Sequence, residues 1–556
     1  MSRLRLNPLN RARQTTSTPE TADILNNNHK SVAGTRLAVS LPCFWTQWSW
    51  WLPPALISVA LTLYFIDPFI GDWDGIDYTI LSLAGYPSSM ALGRNLFIFG
   101  NYALYQVFHA LFNVPPENAY LIFKYAVVAQ VPLAIVACWT LARDVTGSMY
   151  SATLAALFVV FSPIFVLYGG QVMTDVPSVL LIAVALIVHL RGIQQRRASL
   201  LVIGAALVGL GVNLRETMGF YAVWLALAPF ALGWKLQRRD FGLVALSMVI
   251  FLVLAFGWFG YWFLTDSHYR TIWFGWRESM RQESTRHPVS ISNVVPYVMY
   301  FFISAPLVFL ALPFAAVREW RQRKLSPLLC LGLMGLFADL LLFLNYSTTI
   351  NWRYFLTGLP ALAPLTADYL IRVMERILGS ARLALASCFA VLVVFGVVFG
   401  LLVRPVSQEF IDRRAMSKDY RRKLIKVPLD AVMISGAQTI AVIYWKAIGA
   451  GEWETIGTGG GWPEDNLVPI IEDHLKQGRR IFIDADPRWW LPCGWQRQEI
   501  PAIVDLEKRF RFKYVAETIY ELRPATDTTA TDAPDLKSLL PENRPEDTKK
   551  CPPGRA

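Results

Sequence analysis

The sequence predicts a polytopic α-helical membrane protein, with roughly eleven spanning helices followed by a small α/β domain. Three observations carry this reading. First, only 17% of the 556 residues are charged and 54% are hydrophobic, where a soluble chain carries about 25% charged residues. Second, between residues 49 and 403 apolar runs repeatedly reach spanning length, as in LALASCFAVLVVFGVVFGLLV, about 18 residues being enough to cross the hydrocarbon. These runs lack the alternation of barrel strands, and in lipid each segment must satisfy its own backbone, so they are helices. Third, the periodicity changes beyond Pro428, where short apolar strands alternate with helical spacing.

In chain order, residues 1–45 are polar and basic, without a signal-peptide core, and are expected to be a disordered cytoplasmic terminus. The first apolar segment, near Trp48, is then a permanent anchor. Within a membrane region of 46–405, helices are expected at 49–66, 119–142, 150–168, 176–191, 199–214, 217–234, 241–264, 295–317, 326–345, 354–372 and 382–403. The aromatic, half-apolar Asn95–Phe112 segment reads as an interfacial helix. Alternate loops hold Arg143; Arg191, Arg196 and Arg197; Lys235, Arg238 and Arg239; Arg318, Arg321, Arg323 and Lys324; and Arg372, Arg376 and Arg382. The positive-inside rule puts those loops and the N-terminus in the cytoplasm and the C-terminal domain outside. The basic run IDRRAMSKDYRRKLIK, just after the last helix, pulls the other way. The net charge of +11 is thus a matter of topology and gives no reason to expect nucleic acid.

The expected outside domain covers 406–524. AVMIS, WETIG, RIFIDA and FKYVAETIYEL read as strands, and TIAVIYWKAI, NLVPIIEDHL and IPAIVDLEKRF as helices. Residues 525–556 read as a disordered tail. The six cysteines are scattered and have neither zinc-site nor disulfide-framework spacing.

The chemistry is expected on the outside face. The first outside loop, FIDPFIGDWDGIDYTILSLAGYPSS, holds Asp67, Asp72, Asp74 and Asp77 directly beyond the first helix, and Arg94 follows it. Asp175 opens the fourth helix, where it or Thr174 could simply cap. Arg215 and Glu216 lie between two short helices, either as a mutual salt bridge or as a functional pair, since charge at that depth is expensive. The fourth loop carries Arg270, Arg277, Arg281 and Arg286 among aromatics, and the fifth carries Arg353 and Tyr354. Carboxylates in the first two loops and arginines in the later ones suit a phosphate-bearing donor. A carboxylate can take the proton of an acceptor hydroxyl, and arginines or a divalent ion held by Asp74 and Asp175 can stabilise a departing phosphate.

These residues resemble a known family. DGIDY resembles the first-loop motif of GT-C-fold membrane glycosyltransferases, near the dolichyl-phosphate-mannose protein mannosyltransferase and aminoarabinose transferase group. In that likeness Asp74 stands at the catalytic Asp and Tyr78 at the Tyr, while Gly75 replaces the usual Glu, with Asp72 and Asp77 as substitutes beside it. Asp175 in QVMTDVPS stands at the second acidic position, and RYFLTGLPALAPL resembles the late Arg-Tyr-Phe helix start. The likeness covers about residues 45–405, and an α/β domain outside the membrane after the last helix also fits it. It implies a polyprenyl-phosphate sugar donor, transfer with inversion to a lipid, polysaccharide or protein acceptor, Asp74 as base, and a bacterial inner membrane.

Two features of the C-terminal domain compete for attention. GTGGGWP, residues Gly457–Pro463, lacks the Lys-Ser/Thr of a P-loop and reads as a turn. Asp484 and Asp486 resemble a metal-binding DxD at a strand end, and Trp462, Trp489, Trp490 and Trp495 suit either sugar stacking or the membrane surface. A transporter of lipid-linked sugars is the rival from another class. It predicts charge at mid-membrane, where only Asp339 and Asp368 stand, and paired broken helices in two related halves.

Overall fold

The structure, a computed structural model, describes residues 49–540 except 72, 89, 91, 236, 287–293, 323–324, 346–351, 457–466, 491–502 and 530–533. Every expected membrane segment is helical. The helices are α1 Leu52–Tyr64, α2 Trp73–Ala84, α3 Asn95–Phe112, α4 Ala119–Thr146, α5 Met149–Val160, α6 Pro163–Gly169, α7 Asp175–Gln195 and α8 Ala198–Val212. A 3-10 turn at Glu216–Tyr221 leads into α9 Ala222–Ala231, α10 Arg238–Thr265, α11 Ser267–Arg286, α12 Val294–Ser304, α13 Pro306–Arg321 and α14 Pro327–Asn345. A second 3-10 turn at Trp352–Leu356 precedes α15 Leu359–Leu378 and α16 Ala381–Asp419.

Two expected spans are bent at a break, and two others, 217–234 and 354–372, begin in a 3-10 turn. The 150–168 segment bends by 64° between α5 and α6, and the 295–317 segment bends by 101° between α12 and α13. In both cases a proline opens the second half, where its missing N–H is harmless and its fixed φ suits a helix start. The 217–234 segment begins as the 3-10 turn. Among the described residues, four helices are long and apolar enough to cross a membrane, or six spans if each bent pair counts as one. The count of roughly eleven read from apolar runs is therefore coarser than what the helices themselves support. Helix α16 runs 39 residues, so the basic run IDRRAMSKD is helix rather than loop.

After the short helix α17 Arg421–Leu424 comes a five-stranded sheet in the order β2-β1-β3-β5-β4. Its strands are β1 Val432–Ile434, β2 Glu454–Thr455, β3 Ile481–Asp484, β4 Phe510–Ala516 and β5 Ile519–Pro524. β1 pairs parallel with β2 and β3, and β5 pairs antiparallel with β3 and β4. Helices α18 Thr439–Ala447 and α19 Val468–Lys476 lie between strands. FKYVAETIYEL, expected as one strand, is a hairpin that turns at Glu517, whose φ is +54°. In IPAIVDLEKRF the described residues are α-helical at 503 and 504 and continue as a 3-10 turn at Asp505–Lys508. β5 ends at Pro524, yet Leu536 and Leu539, inside the segment read as a tail, are buried in the sheet's core.

The period-two alternation of the central strands explains how this sheet reaches the membrane region. Val432, Ile434, Ile481 and Ile483 face one core with Ile471 of α19. Met433 and Phe482 face another, shared with α18 and with Phe69, Ile70 and Ile76 of the loop after α1 and of α2. Tyr444 of α18 meets the Phe69 ring edge-on at 5.3 Å and donates to the Glu117 carbonyl at 2.8 Å. The first loop is therefore clamped between α18 and α4. From the α4 side, buried Lys124 donates to the carbonyls of Asp67 and Phe69.

Candidate active site

Asp74 lies in the first turn of α2, and Asp77 and Tyr78 follow on the same helix. Gly75 is small for a local reason, since a Cβ there would come within 3.2 Å of the Val172 carbonyl. The chain then loops back to Arg94, which has φ +49°, next to Gly93 at φ +94°. The Ser88 amide donates to the Gly93 carbonyl, and its hydroxyl donates to Asp77 at 3.1 Å, which closes this loop. Burial pushes Asp77 from 3.8 up to about 6; the Ser88 bond and Arg94 oppose the shift and Asp74 adds to it.

Four loop segments converge here through three ion pairs. Arg353, in the 3-10 turn before α15, lies 2.5 Å from Asp74. Arg215, at the end of the turn after α8, pairs with Asp175 at the start of α7, and both are almost completely buried. Arg94 bonds Glu216 at 2.9 Å and the Thr174 hydroxyl at 3.1 Å. The Arg215–Glu216 mutual bridge therefore does not form, because each residue pairs with a different loop. Thr174 makes no side-chain cap on α7 and serves Arg94 instead. Tyr354 is the common platform, with the Arg215 guanidinium 4.7 Å and that of Arg353 5.6 Å from its ring centre. Tyr168, which the sequence did not single out, also takes the Arg353 guanidinium, 5.9 Å from its ring centre.

The cluster is incompletely satisfied. The Tyr78 hydroxyl, one oxygen of Asp175 and the Nε atoms of Arg94 and Arg215 are buried without hydrogen-bond partners. Native proteins rarely leave such atoms, each of which costs about 1–3 kcal/mol. Burial pushes the Tyr78 hydroxyl well above its ordinary range, with Arg94 opposing, so it remains a donor.

The other expected residues lie elsewhere. Arg270 and Arg277 are on α11, where the Arg277 guanidinium sits 5.9 Å from the Trp273 ring, outside the ion-pair cluster. Asp72 falls outside the described residues, as do Gly457–Pro463, Trp462 and Trp495. A divalent ion fits poorly. Asp74 and Asp175 each face an arginine, and among the described residues no three His, Cys, Asp or Glu side chains converge.

The DxD at the end of β3 is a structural junction. Asp484 accepts from Tyr420 at 2.8 Å, Thr518 at 2.6 Å and Lys423 at 3.1 Å, and Asp486 accepts from Lys423 at 3.4 Å and from Arg488. Burial raises the Asp484 carboxyl against the pull of Lys423. For Asp486 burial also pushes upward, but the bonds from Arg488 outweigh it and hold the carboxyl below its ordinary value. Trp489 and Trp490 are buried, and the Trp490 indole donates to the Asp484 carbonyl at 3.0 Å. Neither is available to stack on a sugar.

Residues 99–262 match the family profile of dolichyl-phosphate-mannose-protein mannosyltransferases, a stretch that includes Asp175, Arg215 and Glu216. No curated protein matches the chain by sequence. In fold, the chain is similar to ArnT from Cupriavidus metallidurans, solved bound to undecaprenyl phosphate, with TM-score 0.53 and 14% identity over 87% of this chain and 99% of that one. The archaeal oligosaccharyltransferase AglB from Archaeoglobus fulgidus, solved with an inhibitory peptide and a dolichol-phosphate, aligns at TM-score 0.47 and 13% identity over 88% of this chain and 75% of that one. By sequence in its first half and by fold over most of its length, the chain resembles the GT-C membrane glycosyltransferases.

Proposed function

We propose that this protein transfers a sugar from a polyprenyl-phosphate donor to an acceptor hydroxyl, with inversion, using Asp74 as the base. The observation that carries the reading is the meeting of Asp74, Asp175 and Glu216 with Arg353, Arg215 and Arg94 in one buried cluster that still has unpartnered donors. The fold shared with a protein that binds undecaprenyl phosphate supports the donor class. The donor phosphate takes Arg353, together with Arg94 and Arg215, and releases Asp74 from its ion pair. The acceptor oxygen attacks the anomeric carbon, its proton passes to Asp74, and the bond from that carbon to the phosphate oxygen breaks. Polyprenyl phosphate leaves with the new negative charge, against guanidiniums already oriented by Tyr354 and Tyr168.

Localisation is part of the same proposal. The arginine-rich loops support a bacterial inner membrane with the N-terminus on the cytoplasmic side and the cluster and the sheet on the periplasmic side. The acceptor is a lipid, polysaccharide or protein hydroxyl.

The test is sugar transfer in proteoliposomes, comparing polyprenyl-phosphate sugars with nucleotide sugars. We expect transfer from the lipid donor alone, reduced about a hundredfold or more in Asp74→Asn. Undiminished transfer in that variant removes Asp74 as the base. Movement of intact lipid-linked sugar between leaflets, without transfer, makes the protein a flippase.

A further inference from the structure

At the far end of α15 from the candidate active site, a cavity of about 620 Å³ opens between α13 and α15. Four arginines line it: Arg318 and Arg321 from α13, and Arg372 and Arg376 from α15. Helix α15 has 20 residues, about 30 Å at 1.5 Å per residue, which is the thickness of the hydrocarbon core. Arg353 stands just before its first turn and Arg376 lies in its last, so the two basic sites face opposite membrane surfaces.

The charges here are not balanced. Asp368 accepts from Arg372 at 2.8 Å and lies 3.7 Å from Arg318, which is also 3.8 Å from Glu319. Among the described residues, Arg321 and Arg376 have no carboxylate partner, although both line the cavity. The walls are amphipathic. Phe314 and Val317 line it, and with Trp320 and Ile377 beside it at the same helix ends they are half or more exposed, which suits acyl chains beside a wet, cationic pocket. The volume is within the range of about 300–1,000 Å³ usual for small-ligand sites.

We infer that this cavity binds the phosphate headgroup of an anionic phospholipid, in the leaflet opposite the candidate active site. Arg321 and Arg376 supply the unpaired charge, and Arg318 and Arg372 are held in place by Asp368. Basic residues scattered for topology alone would not converge on one cavity, and basic pockets between helices at a membrane face recognise anionic headgroups. The inference rests on the membrane fold and not on the transferase reading.

Native mass spectrometry of the full chain in mild detergent tests it, with added phosphatidylglycerol compared with phosphatidylcholine. Wild type should retain one phosphatidylglycerol in preference. The double variant Arg321→Gln/Arg376→Gln should retain it about thirtyfold less well, two surface cations at an anionic headgroup being worth roughly that factor. Arg238→Gln/Arg239→Gln, exposed at the same membrane face on α10, should behave as wild type. Equal retention of both lipids, or unchanged retention in Arg321→Gln/Arg376→Gln, overturns the site. An equal loss in the α10 variant would show a diffuse basic surface and no site. Displacement of the lipid by equimolar inorganic phosphate would replace the lipid headgroup with free phosphate as the ligand.

Discussion

Two clusters of carboxylates and cations in this molecule look alike in sequence and differ in kind. At the end of β3, Asp484 and Asp486 are surrounded by Tyr420, Lys423, Thr518 and Arg488, and no side-chain atom of the two aspartates or of Lys423 is left buried without a partner. Around Asp74 and Asp175 the charges also pair, but Tyr78, Asp175, Arg94 and Arg215 each keep a buried atom unbonded. A network that is complete by itself ties one segment to another; here it fixes the basic end of α16 and α17 to the sheet. On the proposed function, the unbonded atoms around Asp74 and Asp175 are those that a donor phosphate would meet. The DxD spacing resembles a metal site where the structure has a satisfied junction, because spacing does not report satisfaction.

The comparison can be broken, and the largest test is of the complete cluster. Lys423→Met leaves Asp484 buried without its cation and should destabilise the fold by about 3–5 kcal/mol, measured by chemical denaturation of the detergent-solubilised protein. The transfer rate per folded molecule should hold. A fall in that rate with stability intact would move the chemistry to the sheet. Next, Arg353→Gln should lower transfer by about a hundredfold, the scale of one lost electrostatic contact to a developing charge. Its melting temperature should change little, because Asp74 stays half-buried beside water.

A smaller effect sharpens the contrast in the other direction. Tyr78→Phe removes a buried hydroxyl that has no partner, so it should stabilise the fold by about 1 kcal/mol and slow transfer by about tenfold. Loss of both stability and activity would make Tyr78 structural. The smallest prediction concerns Asp77, whose carboxyl sits at about 6 instead of 3.8, chiefly through burial. The fold therefore favours its protonated form. That contribution is fully present below about pH 4 and is lost as pH rises through about 6. Asp77→Asn should flatten this decline in a stability profile from pH 4 to 7; an unchanged slope assigns the decline to other groups.

The sequence by itself determined the membrane class, the helical segments and the identity of most of the cluster, because these depend on local composition. An apolar run must be a helix wherever it lies in lipid, and a carboxylate beyond a helix end is visible without neighbours. Asp74, Asp175, Arg215, Glu216 and Arg353 could all be read as candidates in this way. Lys124 carries a signal of its own, a lysine inside an apolar segment. The tertiary structure alone decided who pairs with whom. Arg215 lies next to Glu216 in the chain but bonds Asp175, and Arg94 reaches across 122 positions to Glu216. It also decided that Tyr168 lies under Arg353, that Arg270 and Arg277 stand apart, and that FKYVAETIYEL folds back on itself at Glu517. Pairing of this sort depends on which loops the helix packing brings together. That packing is a property of many distant apolar contacts, and no local spacing records it.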